Sequence, residues 1–206
     1  MIQHFGSKAR KWLLDLFNNC ITTCRIPKIW RSTKVVAILK PNNDPNSPRS
    51  YRPISLLCIL YKLYERLILT RISSTVDEQL SPDQAGFRPG RSCGGQVLNL
   101  TQYIEDGYEN KIITGAVFVY LTAAYDTINH RALLLKLAKT IKNTTIVSVI
   151  KSLLTNQRFF VEMNGKHSRW RIQKNGLPQG SVLAPILFNI YTNDQPHFNN
   201  IRRFIY

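Results

Sequence analysis

An α+β fold is predicted for this 206-residue chain on three observations. Apolar residues recur at helical spacing in several separate stretches, the clearest at residues 7–24 and 55–71. Short runs rich in β-branched residues, at 34–39, 114–121 and 158–163, fall between the helical stretches. Asn164-Gly165 separates two such runs, and that dipeptide is the strongest short-range signal for a tight hairpin.

Taken in order, residues 7–24 place Leu13, Leu16, Phe17, Cys20, Ile21 and Cys24 on one stripe, with Ser7 as cap and Pro27 as stop. Lys34 to Leu39 reads as a strand. The following loop, K-P-N-N-D-P-N-S-P-R-S, is rich in proline and asparagine and carries Lys40 and Arg49, with Arg52 just beyond. Such a loop is either a surface turn or a phosphate clamp. Residues 55–71 form a helix whose stripe of Leu56, Leu60, Leu63 and Leu67 faces the core. The loop S-P-D-Q-A-G-F-R-P-G-R-S leads to a helix at 92–109 capped by Ser92. Thr114 to Leu121 is continuously apolar, the pattern of a strand buried on both faces. Helices follow at 129–141 and 144–156, strands at 158–163 and 167–173, and a last helix from Gln179 to Asn193 with Pro185 in its first turns. The final R-R-F-I-Y reads as the start of another strand.

The charge balance narrows the function. Against 12 acidic residues stand 28 basic ones, a net charge of +16. A surplus of that size is matched to a polyanion, with nucleic acid first and a membrane surface second. No apolar run approaches the ~20 residues that span a bilayer. Trp12 to Phe17 is broken by Asp15, which is not a secretory h-region. The four cysteines make no C-x-x-C pair and read as reduced thiols of an intracellular protein that is not secreted.

Four segments carry the chemistry. They are Y-R-P-I-S-L-L (Tyr51 to Leu57), Q-A-G-F-R-P-G-R-S (Gln84 to Ser92), A-V-F-V-Y-L-T-A-A-Y-D-T-I-N-H (Ala116 to His130) and N-G-L-P-Q-G-S-V-L-A-P (Asn175 to Pro185). In this order, on a basic chain, they closely resemble the reverse transcriptase domain of non-LTR, LINE-type retrotransposons, most like the jockey group. The resemblance implies a right-hand polymerase: fingers over residues 1–110, with the N-terminal helix, and a partial palm over 111–206. The palm would be a ferredoxin-like sheet lacking its catalytic hairpin, with no thumb. It also implies an enzyme that copies an RNA template into DNA from a DNA primer end, using deoxynucleoside triphosphates, in the nucleus and cytoplasm.

Such a reaction uses two Mg²⁺ ions, which need hard oxygen ligands to clamp the attacking and leaving oxygens. By resemblance, Tyr120 stands where the family has its first metal-binding aspartate, and Tyr206 is the first letter of a Tyr/Phe-Ala-Asp-Asp hairpin whose acids are absent. The expectation is a chain with no intact metal site, catalytically incompetent as written, or a decayed remnant that binds nucleic acid at most. Tyr125 would be the steric gate that excludes a ribonucleotide's 2′-hydroxyl. Gln179 and Gly180 would meet the nucleotide's sugar and base edge, and Arg52 and Lys40 its triphosphate. Arg88, Arg91 and Phe87 would track the template or help fold the fingers. Taken without the resemblance, these are ordinary surface cations, packing aromatics and a loop-to-helix junction. Asp126 would cap the next helix or bond nearby amides, His130 has no chemical role, and His4, His167 and His197 show no partner spacing.

Overall fold

The structure is a computed structural model that describes residues 4–196, 198 and 201–206; His197 lies outside them. Helix α1 (Ser7–Thr23) buries Leu13, Phe17 and Cys20. Its cap is Gly6, with no capping side chain, so Ser7 is the first helical residue rather than the cap. Phe17 meets Trp30 and Tyr64, with ring centroids 6.2 and 5.4 Å away, and this aromatic knot starts the core.

Strand β1 (Ser32–Leu39) pairs antiparallel with β2 (Tyr51–Leu56). The helix expected at 55–71 therefore starts later, as α2 (Ile59–Asp77). Its buried side is Tyr61, Tyr64, Glu65, Ile68, Ile72 and Val76. The expected leucine stripe is displaced: Leu56 is on β2 and half exposed, and Leu67 is exposed. The helix is apolar around most of its circumference, so spacing alone does not choose the face; β2 pairing fixes where it starts and which way it turns.

Helix α3 (Cys93–Glu109) is capped as expected, Ser92 Oγ accepting from the Gly95 amide at 3.1 Å. Helices α4 (His130–Thr140) and α5 (Thr144–Leu154) are capped by the Asn129 and Asn143 side chains, each accepting from an amide three residues on, at 3.0 and 3.1 Å. β3 (Arg158–Met163) joins β1 in parallel and continues through Asn164 (φ 51°) and Gly165 (φ 73°), the left-handed pair a two-residue hairpin needs. The returning strand comes in two pieces, β4 (Lys166–His167) and β5 (Arg171–Ile172). Between them Ser168 replaces the ladder: its Oγ accepts from the Val161 amide and its own amide donates to the Val161 carbonyl, both at 2.9 Å. Helix α6 (Ala184–Thr192) begins at Ala184 rather than near Gln179, because Pro178–Ser181 forms a turn first.

The sheet order is β2-β1-β3-β4, with β5 also on β3, so strands from both expected regions share one sheet. The apolar core is helical. It joins α1, α2, α4, α5 and α6 through side chains such as Tyr64, Leu133, Leu137, Ile150 and Leu187. The largest departure from expectation is residues 114–121. They form no strand, and Val117, Phe118, Val119 and Tyr120 are each at least 80% exposed. A strand exists only with a partner for its amides and carbonyls, and no described segment supplies one here. The tail makes a one-residue parallel bridge, Gln84 to Ile205, instead of a full strand.

Candidate functional site

One face of the sheet floors an open groove of about 1200 Å³. Register puts Val35, Ala37, Pro53, Val161 and Met163 on this side, two residues apart along each strand. The loop after β1, the turn 120–126 and Gln179 form its walls. Lys40, Arg52, Tyr120, Tyr125 and Gln179 thus line one groove, although they come from segments far apart in sequence.

Each wall is held from beneath. Lys40 closes its loop: its amide donates to Ser50 O (2.8 Å) and its Nζ to Arg49 O (2.9 Å). Tyr51 Oη ties the same loop through Pro45 O at 2.9 Å. Arg52 is exposed at the rim on edge strand β2, where Pro53 is tolerated because the edge needs no complete ladder. The Ser55 amide donates to Gln179 O at 2.7 Å, joining that edge to the loop before α6. Gly180 (φ +118°) lies flat against it; a Cβ there would sit 2.7 Å from Ser55 O.

The turn 122–127 pivots on Ala123 at φ 52°, with the Asp126 and Thr127 amides both donating to Ala123 O. It docks on the loop before α6 through Leu177 N–H to Tyr125 O and Gly176 N–H to Ile128 O, both 2.8 Å. Only glycine fits at 176, where φ is +82° and a Cβ would press to 2.8 Å of the Asp126 backbone. The Gly176 carbonyl accepts from His130 Nε2 at 2.7 Å and from Gln173 Nε2 at 3.0 Å. His130, given no chemical role from sequence, is a brace for this loop.

Tyr125 is half-buried. It stacks on Phe188 (5.1 Å, 14°) and meets Phe87 edge-on at 6.4 Å, and burial pushes its hydroxyl up to about 12. The ring is thereby fixed in one orientation at the groove wall. Tyr120 is the opposite, 87% exposed. Asp126 is exposed in the turn, and partial desolvation by the surrounding atoms raises its pKa above the ordinary carboxylate value.

The residues around the groove do not fit a magnesium site. Among the described residues no three His, Cys, Asp or Glu side chains gather at any point. Among the described residues that line the groove Asp126 is the one carboxylate, and Tyr120 offers a phenol, a poor ligand for magnesium.

The loop at 79–91 is tied to α6 and the tail. Asn193 accepts from the Ser81 amide (2.8 Å) and donates to Gln79 O (2.9 Å), and Asn189 donates to Gly86 O (2.9 Å). Arg203 pairs with Asp83 at 2.9 Å. Arg88 is spent within the loop: its guanidinium donates to Asp77 Oδ1 (2.6 Å), Asp77 O, Ser81 O and Gln84 O, and its side chain is 7% exposed. Of the two roles the sequence left open to it, these contacts serve folding. Arg91 is exposed, with one donor on Pro82 O (2.6 Å), and Phe87 is exposed at φ 57°.

Sequence reading passed over Glu65. Its carboxylate is 2% exposed and sits under the loop before α6, accepting from Ser181 Oγ (2.5 Å) and the Val182 amide (2.9 Å). Burial raises its pKa to about 7, against the opposing pull of those bonds and of Lys62. The signal was present: a lone acid inside an apolar helical stretch.

Residues 38–203 match the family model described as reverse transcriptase (RNA-dependent DNA polymerase). Among curated relatives, a probable RNA-directed DNA polymerase from transposon BS of Drosophila melanogaster is 38% identical over 92% of this chain and 21% of its own length. The RNA-directed DNA polymerase from mobile element jockey of Drosophila funebris is 34% identical over 97% of this chain and 22% of its own. That from transposon X-element of Drosophila melanogaster is a third, 34% identical over 92% of this chain. The chain spans about a fifth of the length of these relatives. From residue 38 onward the chain belongs to the reverse transcriptase family, the RNA-directed DNA polymerases, which are nucleotidyltransferases, and its relatives are those of jockey-like non-LTR retrotransposons.

Proposed function

We propose that this chain is the nucleotide- and template-handling part of a retrotransposon reverse transcriptase, and that as written it binds these substrates without polymerising them. The observation that carries the reading is the groove, which gathers Lys40, Arg52, Tyr120, Tyr125 and Gln179. Arg52 and Lys40 grip the triphosphate, the first through a planar fork suited to phosphate oxygens. Gln179 faces the sugar, and Gly180 lets the backbone close on β2 behind it. Tyr125, held by Phe188, stands as the gate against a 2′-hydroxyl. Arg91 and Phe87 extend the surface along the template. The expected fingers (1–110) and partial palm (111–206) meet along the β1–β3 pairing.

The family's two-magnesium transfer finds no ligand set here, so no step is assigned to it. A phenol in place of a metal-binding carboxylate, as proposed for Tyr120, removes charge stabilisation at the reacting centre, typically orders of magnitude in rate. Primer extension on an RNA template, with magnesium and deoxynucleotides, tests this reading. The chain is expected to yield no product, and Tyr120→Asp alone is expected to yield none, since one carboxylate does not make a two-ion site. Robust synthesis by either protein would refute the claim of inactivity. A fluorescent deoxynucleotide that binds equally to the chain and to its Arg52→Ala/Lys40→Ala variant would refute the groove.

A further inference from the structure

The other face of the sheet is also open and is built differently. Register places Lys34, Arg158, Phe160, Glu162, His167 and Ile172 on this side, opposite the residues that floor the groove. Trp170, in the break between β4 and β5, packs edge-on against Phe160 with centroids 4.9 Å apart, yet remains 53% exposed. The Arg158 guanidinium lies over the Trp170 ring at 5.2 Å and is held by Ser32 Oγ at 2.9 Å. Residues 158–174 carry five Lys or Arg (Arg158, Lys166, Arg169, Arg171 and Lys174) and one acid, Glu162. Glu162 is taken by Lys34 and His167, and none of those five cations is in an ion pair among the described residues. Register puts Arg158 on this outer face and turns Lys166 and Arg171, opposite Met163 and Phe159, toward the groove side, while Arg169 adjoins Trp170 in the chain.

We propose that this outer face of the β3–β5 hairpin is a second nucleic-acid surface, which takes single-stranded RNA by stacking a base on Trp170 while the surrounding cations hold its phosphates. An exposed indole braced by an arginine, on a hairpin with a cationic surplus, is complementary to a flexible polyanion with planar bases. A protein partner would leave these charges facing one another or water. RNA is the strand assigned because the template is the long single strand in the reaction read above, so this inference rests on that reading. The surface lies across the sheet from the groove and would hold template that has not entered it or has already left.

The test uses the whole chain and a short fluorescent uridine oligoribonucleotide. Stacking contributes roughly 1–3 kcal/mol per base, so Trp170→Ala is expected to weaken binding about tenfold, and Trp170→Phe to keep most of it. Arg169→Glu is expected to weaken binding and flatten its salt dependence. RNA should quench indole emission in the chain and not in Trp170→Phe. Lys40→Ala should leave the quench in place, which separates failure here from failure of the groove reading. Unchanged affinity in folded Trp170→Ala overturns the proposal. Equal affinity for the matching oligodeoxynucleotide overturns the assignment to RNA. Emission that changes with protein concentration rather than with RNA shows self-association and overturns it as well.

Discussion

Glu65 is the residue at which burial and charge oppose each other most directly. It has an ordinary carboxylate pKa in the unfolded chain and about 7 in the folded one, raised by burial. The native state therefore binds more protons than the unfolded state between those values, and stability falls as pH rises through that window. The shift corresponds to roughly 3 kcal/mol at most, reduced by whatever relaxation deprotonation provokes. Glu65→Gln is expected to flatten the melting temperature between about pH 5 and 7. Thermal melts across that range check it, and an unchanged slope would place the titration elsewhere. The same carboxylate sits beneath the loop that carries Gln179 and Gly180, so deprotonation loads the groove wall from below. Residue identity also explains why the sequence showed Tyr125 but not its clamp. Tyr125 stands inside a motif, whereas Phe188 and Phe87 become its neighbours only once α6 and the 79–91 loop are folded.

At the scale of elements, the caps and the hairpin were legible because their signals are local. Ser92, Asn129, Asn143 and Asn164-Gly165 each act within a few residues. Residues 114–121 were not legible for the opposite reason. Their β-branched composition describes how well they would pack in a sheet, and the ladder that makes a strand must come from elsewhere in the chain. The leucine stripe of α2 failed in between: helix existence was local, but its face depended on β2. Amide hydrogen exchange should show the difference. Residues 113–121 are expected to exchange with almost no protection, and β1 and β3 to be among the slow amides. Protection at 117–120 comparable to that of β1 would mean that this segment pairs in solution.

For the whole molecule, the charge of +16 predicts an affinity for RNA governed by phosphates. If about four contacts form, log affinity should fall with log salt at a slope near −3, measured by filter binding. A flat profile would argue against phosphate contacts in either the groove or the hairpin. Composition pointed to this partner class, and the four ordered motifs foretold the family, both without any structure. Neither could show that the sheet has two open faces, since that follows from register between strands more than a hundred residues apart.

The unpaired stretch at 113–121 also makes a natural severing point. It is exposed, and it lies between two segments that share one sheet through β1 and β3 and one core through α1, α2, α4, α5 and α6. A nick there removes no strand pairing and no core side chain. The chain could accordingly be produced as two separate polypeptides that find each other and reassemble, a split protein whose β1–β3 pairing and shared core form only when both halves are present.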